Sequence, residues 1–166
     1  MSQTIKEMAT KNVETFAAVK PGMGFSKVVN DLHNLTNELS PNDQLVIIGG
    51  TNDIINVKNN RDTETFNQEA MKKVMSHGKT TNVLVVSIPK RMDKIYLNKK
   101  IEEVNGSIKK MIDIGIQEEP LLKDRVKFLD INLYIHPQHY RKDGIHLSST
   151  GKQILSYLIL DNLKKY

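Results

Sequence analysis

The chain has 166 residues, a formal net charge of +5 and no cysteine. This length predicts a single domain, 1–166, with a core large enough to need no disulfide; the lack of thiols excludes disulfides, thiolate metal sites and a cysteine nucleophile. The N-terminal residues 1–7 are too polar for a signal peptide. No apolar run approaches the roughly 20 residues of a membrane span. We therefore expect a cytoplasmic protein without a membrane span.

Short apolar runs alternate along the chain with longer helical patterns. The patterns predict helices over Gln3–Thr10, Gly24–Leu39, Asp62–His77, Asn98–Ile114 and Ser149–Lys164, and strands at Val13–Val19, Gln44–Ile48, Asn82–Ser87 and Val126–Leu129. Continuously apolar strands are typical of parallel sheets buried on both faces. The alternation therefore predicts an α/β fold, a parallel sheet with helices on both faces. Ligands of such folds bind at the carboxyl ends of the strands.

Two short polar motifs follow predicted strands or precede a predicted helix. Asp143 stands three residues before His146, just ahead of the last helix, where carboxylate and imidazole can lie side by side as an oriented general base. Asn52, in Gly50–Asp53 directly after a strand, can aim an amide donor into a cleft. The structural alternatives are a capping aspartate, a histidine at a helix entrance and an asparagine that bonds its own turn.

A glycine loop, Lys20–Gly24, lies between a predicted strand and a helix. Its glycines allow backbone N–H groups to approach a ligand closely, with the polarity of a helix terminus behind them. The Pro-Gly pair within it is equally typical of a simple turn.

These motifs resemble the blocks of a known superfamily. Gly50–Asp53 is similar to the G-x-N-D block, and Asp143–His146 to the D-x-x-H block, of the SGNH (GDSL-like) hydrolases. The local sequence also resembles the hydrolase domains of some non-LTR retrotransposon proteins, and the resemblance runs through most of the chain. It implies a three-layer, flavodoxin-like sandwich and the hydrolysis of carboxylic esters, acetylated sugars or lipids.

The resemblance also implies roles for five residues in serine-type hydrolysis of a small acyl ester, without a cofactor. His146 would be the general base and Asp143 would orient it. Asn52 would donate a hydrogen bond to the oxyanion, together with the backbone N–H of Gly22. Ser2, twenty residues before Gly22, would be the nucleophile.

The first block of the family, a strand leading into Gly-Asp-Ser, has no counterpart, because only Met1 precedes Ser2. We therefore expect the first strand of the sheet to be absent and the numbering to begin inside a longer natural domain. A degenerate relative is the alternative. A second interpretation of the function is an inactive SGNH-like binding or scaffold module, RNA-associated through its lysines. A third is a homo-oligomer in which a partner's strand fills the sheet.

The sequence also contains candidate ligands for zinc and basic residues that could contact nucleic acid. His136, His139, Asp143 and His146 are competent zinc ligands. However, Pro137 disrupts a helical i, i+3 arrangement, and the G-x-N-D block has no task at a zinc site, so we predict no metal. Twenty of the 24 basic residues are scattered lysines, which favours solvated helix faces over a nucleic-acid surface.

Overall fold

The computed structural model describes residues 23–36, 38–56 and 60–163. Its helices are α1 (Phe25–Thr36), α2 (Thr51–Asn56), α3 (Asn60–Gly78), α4 (Asn98–Glu118) and α5 (Ser149–Leu163), and its strands are β1 (Gln44–Ile48), β2 (Asn82–Val86) and β3 (Val126–Leu129). Short 3₁₀ helices span Ile95–Leu97, Pro120–Leu122, Ile131–Leu133 and Pro137–His139. The helix and strand predicted within residues 1–22, and the expected gap at the first strand, lie outside the described residues.

The three described strands form one parallel sheet in the order β1-β2-β3. Side chains alternate between the two faces, as the twofold repeat of a strand requires. Val83 and Val85 of β2 belong to the core cluster that includes α1, α3 and α4, while Leu84 and Val86 belong to the cluster that includes α5. The central strand is thus buried on both faces between two helical layers, and the predicted three-layer α/β fold is confirmed.

The buried positions of α4 show why a helix forms there. Ile101, Val104, Ile108 and Ile112 repeat every three or four residues and face the core. The helix runs four residues beyond the predicted end at Ile114 and stops at Glu118, where Glu119 and Pro120 follow. Because the residue before a proline disfavours helical backbone, the boundary lies here rather than at the last strongly apolar turn.

Three other details of the fold have local reasons. Ser87 is not part of β2, and its hydroxyl instead accepts from the backbone N–H of Ile131 and donates to Asp130. The six-residue helix α2 was not predicted, because six residues are too few to show a helical repeat. Ser148 caps α5, since its Oγ accepts from the backbone N–H of Gly151 at 3.2 Å; Ser149 and Thr150 both lie inside the helix.

Candidate active site

Asp143 and His146 form a tight turn just before α5. Asp143 Oδ2 lies 3.0 Å from Nδ1 of His146, and Asp143 Oδ1 accepts from the backbone N–H groups of Ile145 and His146, both at 2.9 Å. The side chain of His146 is 69% exposed, so a substrate can reach its ring. The predicted pairing of carboxylate and imidazole is present.

The hydrogen bonds to Asp143 decide its charge. The backbone N–H groups of His146 and Ile145, followed by the imidazole, hold the pKa of the Asp143 carboxyl well below its usual range. The carboxylate is therefore ionised at neutral pH and can only accept hydrogen bonds. In a neutral imidazole, this assigns the hydrogen to Nδ1 and leaves Nε2 with a lone pair, the form that a general base requires.

Gly144 holds the outer side of this turn against the loop after β2. Its backbone φ is +67°, and a Cβ added there would lie 2.6 Å from the backbone nitrogen of Asp93. Its carbonyl accepts from the backbone N–H of Met92 at 2.8 Å. Glycine is needed at position 144 both for the left-handed backbone and for this close approach.

The second motif begins where β1 ends. Gly50 has φ +103°, and a Cβ there would lie 2.6 Å from Cδ1 of Ile88, the second residue after β2. Asn52 follows in the first turn of α2, half-buried, and its Nδ2 donates to the carbonyl of Met23 at 3.3 Å. Such a bond is at the long end of the range, so a stronger acceptor can replace it.

Asp53 of the same motif stabilises the start of α1. Its Oδ2 accepts from the backbone N–H of Phe25 at 2.6 Å. The carboxylate packs so closely against Gly24 that a Cβ on residue 24 would collide with it. Burial raises the pKa of Asp53, while the bond from Phe25 opposes that rise. The G-x-N-D block is thereby fixed to residues 23–25.

At the carboxyl edge of the sheet, the two motifs contact the same loop, the one that follows β2. Gly50 packs on Ile88 and Gly144 packs on Met92 and Asp93, so both motifs contact the segment that follows β2. In the described structure Asp143 and His146 are bonded to each other, and Asn52 lies at the same edge of the sheet. Ser2 and Gly22 lie outside the described residues.

A family model described as GDSL-like Lipase/Acylhydrolase matches residues 6–159. The chain belongs to this family. The resemblance inferred from the two motifs is confirmed, and family membership supports a hydrolase in general terms. No curated protein matches the sequence significantly.

Two solved structures show the fold of this GDSL-like chain. One is a Streptococcus pneumoniae protein described as a candidate platelet activating factor, with 22% identity and a TM-score of 0.63 over 86% of this chain and 69% of that one. The other is a Clostridium thermocellum family 3 carbohydrate esterase, with 17% identity and a TM-score of 0.62 over 86% of this chain and 68% of that one. At these identities the likeness concerns the fold alone.

The described part of this GDSL-like chain contains no cluster of side chains that could bind zinc. No group of three or more His, Cys, Asp or Glu residues there could hold a metal ion. His139 Nδ1 accepts from the backbone N–H of His136, with the two ring centroids 5.6 Å apart, while His146 pairs with Asp143. Among the described helices, none is long and apolar enough to cross a membrane.

Sequence reasoning missed the polar contacts that fix the loops at this edge. Asp130 Oδ1 accepts from the hydroxyl of Ser87 at 3.0 Å and from the backbone N–H of Asn132 at 3.0 Å. In the loop after β2, Arg91 and Asp93 form an ion pair. Asp130 directly follows a predicted strand, which is a signal for such a role, whereas no local pattern indicates the ion pair of Arg91 and Asp93.

Proposed function

We propose that this protein is a serine-type hydrolase of small acyl esters. The observation that carries the proposal is the contact of 3.0 Å between Asp143 Oδ2 and His146 Nδ1, with an exposed imidazole and a carboxylate anchored by two backbone N–H groups. Membership of the GDSL-like lipase/acylhydrolase family supports the same reaction class. The chemistry needs no cofactor.

In the proposed mechanism, Nε2 of His146 takes the proton of a serine hydroxyl as the serine oxygen attacks the ester carbonyl. Ser2 is the proposed nucleophile. The negative charge of Asp143 stabilises the imidazolium that forms, and the same imidazolium then donates its proton to the leaving alcohol. The products of this half-reaction are an acyl-serine and the free alcohol. Water activated by His146 hydrolyses the acyl-serine in the second half.

The developing oxyanion needs hydrogen-bond donors at the reacting carbonyl. Asn52 Nδ2 is the proposed side-chain donor, and the backbone N–H of Gly22 is the second. In the described structure Asn52 donates to the carbonyl of Met23 at 3.3 Å, and a charged oxygen is the stronger acceptor. We therefore expect Asn52 to exchange this bond for one to the oxyanion in the transition state.

Hydrolysis of p-nitrophenyl acetate tests the proposal. His146→Ala is expected to lower kcat by about 10²–10⁴-fold, because a general base is lost. Asn52→Ala is expected to lower it by about 10²–10³-fold, because one oxyanion donor is lost. Asn42→Ala is the matched control, since Asn42 is exposed in the turn before β1, at the opposite edge of the sheet. Undiminished turnover in both site variants would rule the mechanism out.

A fluorophosphonate probe tests the nucleophile. Labelling that maps to Ser2, and that Ser2→Ala abolishes, supports the proposed assignment. Labelling at another serine would still support ester hydrolysis, but it would identify that serine, not Ser2, as the nucleophile.

One observation favours a second candidate, an inactive binding module. No described serine is hydrogen-bonded to His146. A module that binds RNA through lysines would show no probe labelling, no ester turnover and an affinity for RNA that falls steeply with salt. Turnover that depends on His146 would exclude this candidate.

A further inference from the structure

The loop after β2 is fixed by amide side chains from neighbouring elements. Asn105, buried in α4, bonds both backbone groups of Ile88: its Oδ1 accepts at 2.8 Å and its Nδ2 donates at 2.9 Å. Asn132 also donates to the carbonyl of Ile88 at 3.0 Å and accepts from the backbone N–H of Lys90 at 2.8 Å. The first half of the loop therefore has a single arrangement, set by contacts from α4 and from the segment after β3.

The second half of the loop is organised around Arg91. Asn98 holds its backbone, accepting from the N–H of Arg91 at 2.7 Å and donating to its carbonyl at 2.9 Å. Its guanidinium bonds both carboxylate oxygens of Asp93, with Nε to Oδ1 at 2.8 Å and Nη2 to Oδ2 at 2.5 Å. The side chain of Arg91 is only 6% exposed, and that of Asp93 22%.

A two-point ion pair with a buried arginine fixes the backbone between its members. The planar guanidinium matches the carboxylate in one orientation only, and the two residues are separated by Met92 alone. Removing Asp93 leaves the buried charge of Arg91 without compensation, and removing Arg91 leaves the Asp93 carboxylate without the two bonds that orient it, so the backbone of residues 91–93 would rearrange in either case.

The backbone held by this pair is the one on which the turn of Asp143 and His146 rests. The N–H of Met92 donates to the carbonyl of Gly144, and the nitrogen of Asp93 occupies the space that a Cβ on Gly144 would need. The bonds of Asp143 to Ile145 and His146 lie within the turn itself. Movement of residues 91–93 would therefore displace the whole turn and leave its internal pairing intact.

We infer that Arg91 is a positioning residue for the general base: its ion pair with Asp93 holds the Met92–Asp93 backbone against Gly144 and so sets where His146 faces the substrate. The inference rests on the proposed function for its effect on the reaction. Because a displacement of about 1 Å in a reacting group can cost about 10²-fold in rate, we expect Arg91→Met to lower kcat by about 10–100-fold. KM should change by less than about twofold, since the side chain of Arg91 is buried and bonded to Asp93.

The experiment combines kinetics with amide hydrogen exchange on the full chain. Arg91→Met should accelerate exchange at Met92, whose N–H bonds Gly144, by at least about tenfold, while amides of β2 keep the protection of the unsubstituted protein. Arg125→Met is the matched control, because Arg125 is a half-buried arginine just before β3, at the opposite edge of the sheet, bonded to the carbonyl of Lys79. It should change neither kcat nor exchange at Met92.

Two further variants keep the test decisive if Arg91→Met does not fold. Asp93→Asn removes the charge of the acceptor and should shift kcat and the exchange of Met92 in the same direction by less. Arg91→Lys cannot bond both oxygens in one plane and should restore both quantities only in part.

The outcomes separate this inference from the proposed function. Unchanged exchange at Met92, or unchanged kcat, in folded Arg91 and Asp93 variants would overturn the positioning role. If the unsubstituted protein hydrolyses no ester, the proposed function fails and the role of Arg91 in the reaction fails with it. Exchange at Met92 still decides whether the ion pair holds the turn.

Discussion

Replacing Asp143 by asparagine tests the orientation of the general base. In the structure Oδ1 accepts from two backbone N–H groups and Oδ2 from the imidazole. Asparagine has one oxygen and one NH₂ group. If its oxygen keeps the two backbone bonds, the NH₂ group faces Nδ1 of His146. The opposite rotamer would set the NH₂ group against two backbone donors, so the first arrangement is the favoured one.

This arrangement reverses the hydrogen bond to the imidazole. Because the NH₂ group donates, Nδ1 must accept, and the ring hydrogen moves to Nε2. An Nε2 that already carries hydrogen cannot take the proton of a serine hydroxyl. We therefore expect Asp143→Asn to lower kcat by about 10²–10⁴-fold, with KM nearly unchanged.

The measurement is p-nitrophenyl acetate turnover, joined by a long-range ¹H–¹⁵N spectrum that reports which ring nitrogen of His146 carries hydrogen. Asp124→Asn is the matched control, since Asp124 is exposed in the turn before β3, at the far edge of the sheet. Turnover of Asp143→Asn within twofold of the control, with the ring hydrogen moved to Nε2, would refute the role of His146 as base.

Three further predictions concern stability, each measured by chemical denaturation of the unsubstituted protein and the variant. Gly144→Ala places a non-glycine residue at φ +67° and a Cβ 2.6 Å from the nitrogen of Asp93, so we expect a loss of about 1–3 kcal/mol; an unchanged free energy of unfolding would show that the turn relaxes freely. Asp53→Ala removes the acceptor for the N–H of Phe25 and should lower stability by about 1–2 kcal/mol, as the loss of an N-cap does; a variant as stable as the parent would contradict the capping role. The pKa of Asp143 is lowered in the folded protein, so its contribution is fully present above the unfolded pKa of about 3.9 and is lost as pH falls below that value. The stability difference between the parent and Asp143→Asn should accordingly shrink below about pH 4, and a difference that stays constant down to pH 2 would argue against the depressed pKa.

The strands could be predicted from sequence because their signal is local. β1 and β3 lie where the apolar runs placed them, and β2 ends one residue earlier than predicted, at Val86. Asp143 and His146 were found for the same reason, since three residues of separation in one turn suffice to pair them. Asn52 was predicted as a site residue because it follows a strand and matches the family motif.

The supporting contacts could not be predicted, because they join parts of the chain that are distant in sequence. Nothing local to Arg91 indicates that its side chain is buried or that Met92 meets Gly144. Nothing local to Asp53 indicates that its carboxylate accepts from the backbone N–H of Phe25, 28 residues earlier in the chain. The single domain over 1–166, the cytoplasmic location, the nucleophile Ser2, the backbone donor Gly22 and any homo-oligomer stay predictions.

The short span between Asp143 and His146 has a consequence for how the protein loses activity. A loop of three residues closes at little entropic cost, while bringing Asn52 to the same edge requires the chain between them to be ordered. The carboxylate and the imidazole can therefore meet transiently even in partly denatured molecules, but they meet the amide of Asn52 only when the sheet is assembled. Under gentle heating or mild urea, ester turnover should decline before the far-ultraviolet circular dichroism of the helices does, because a reaction at the meeting point of separate loops responds to openings smaller than global unfolding.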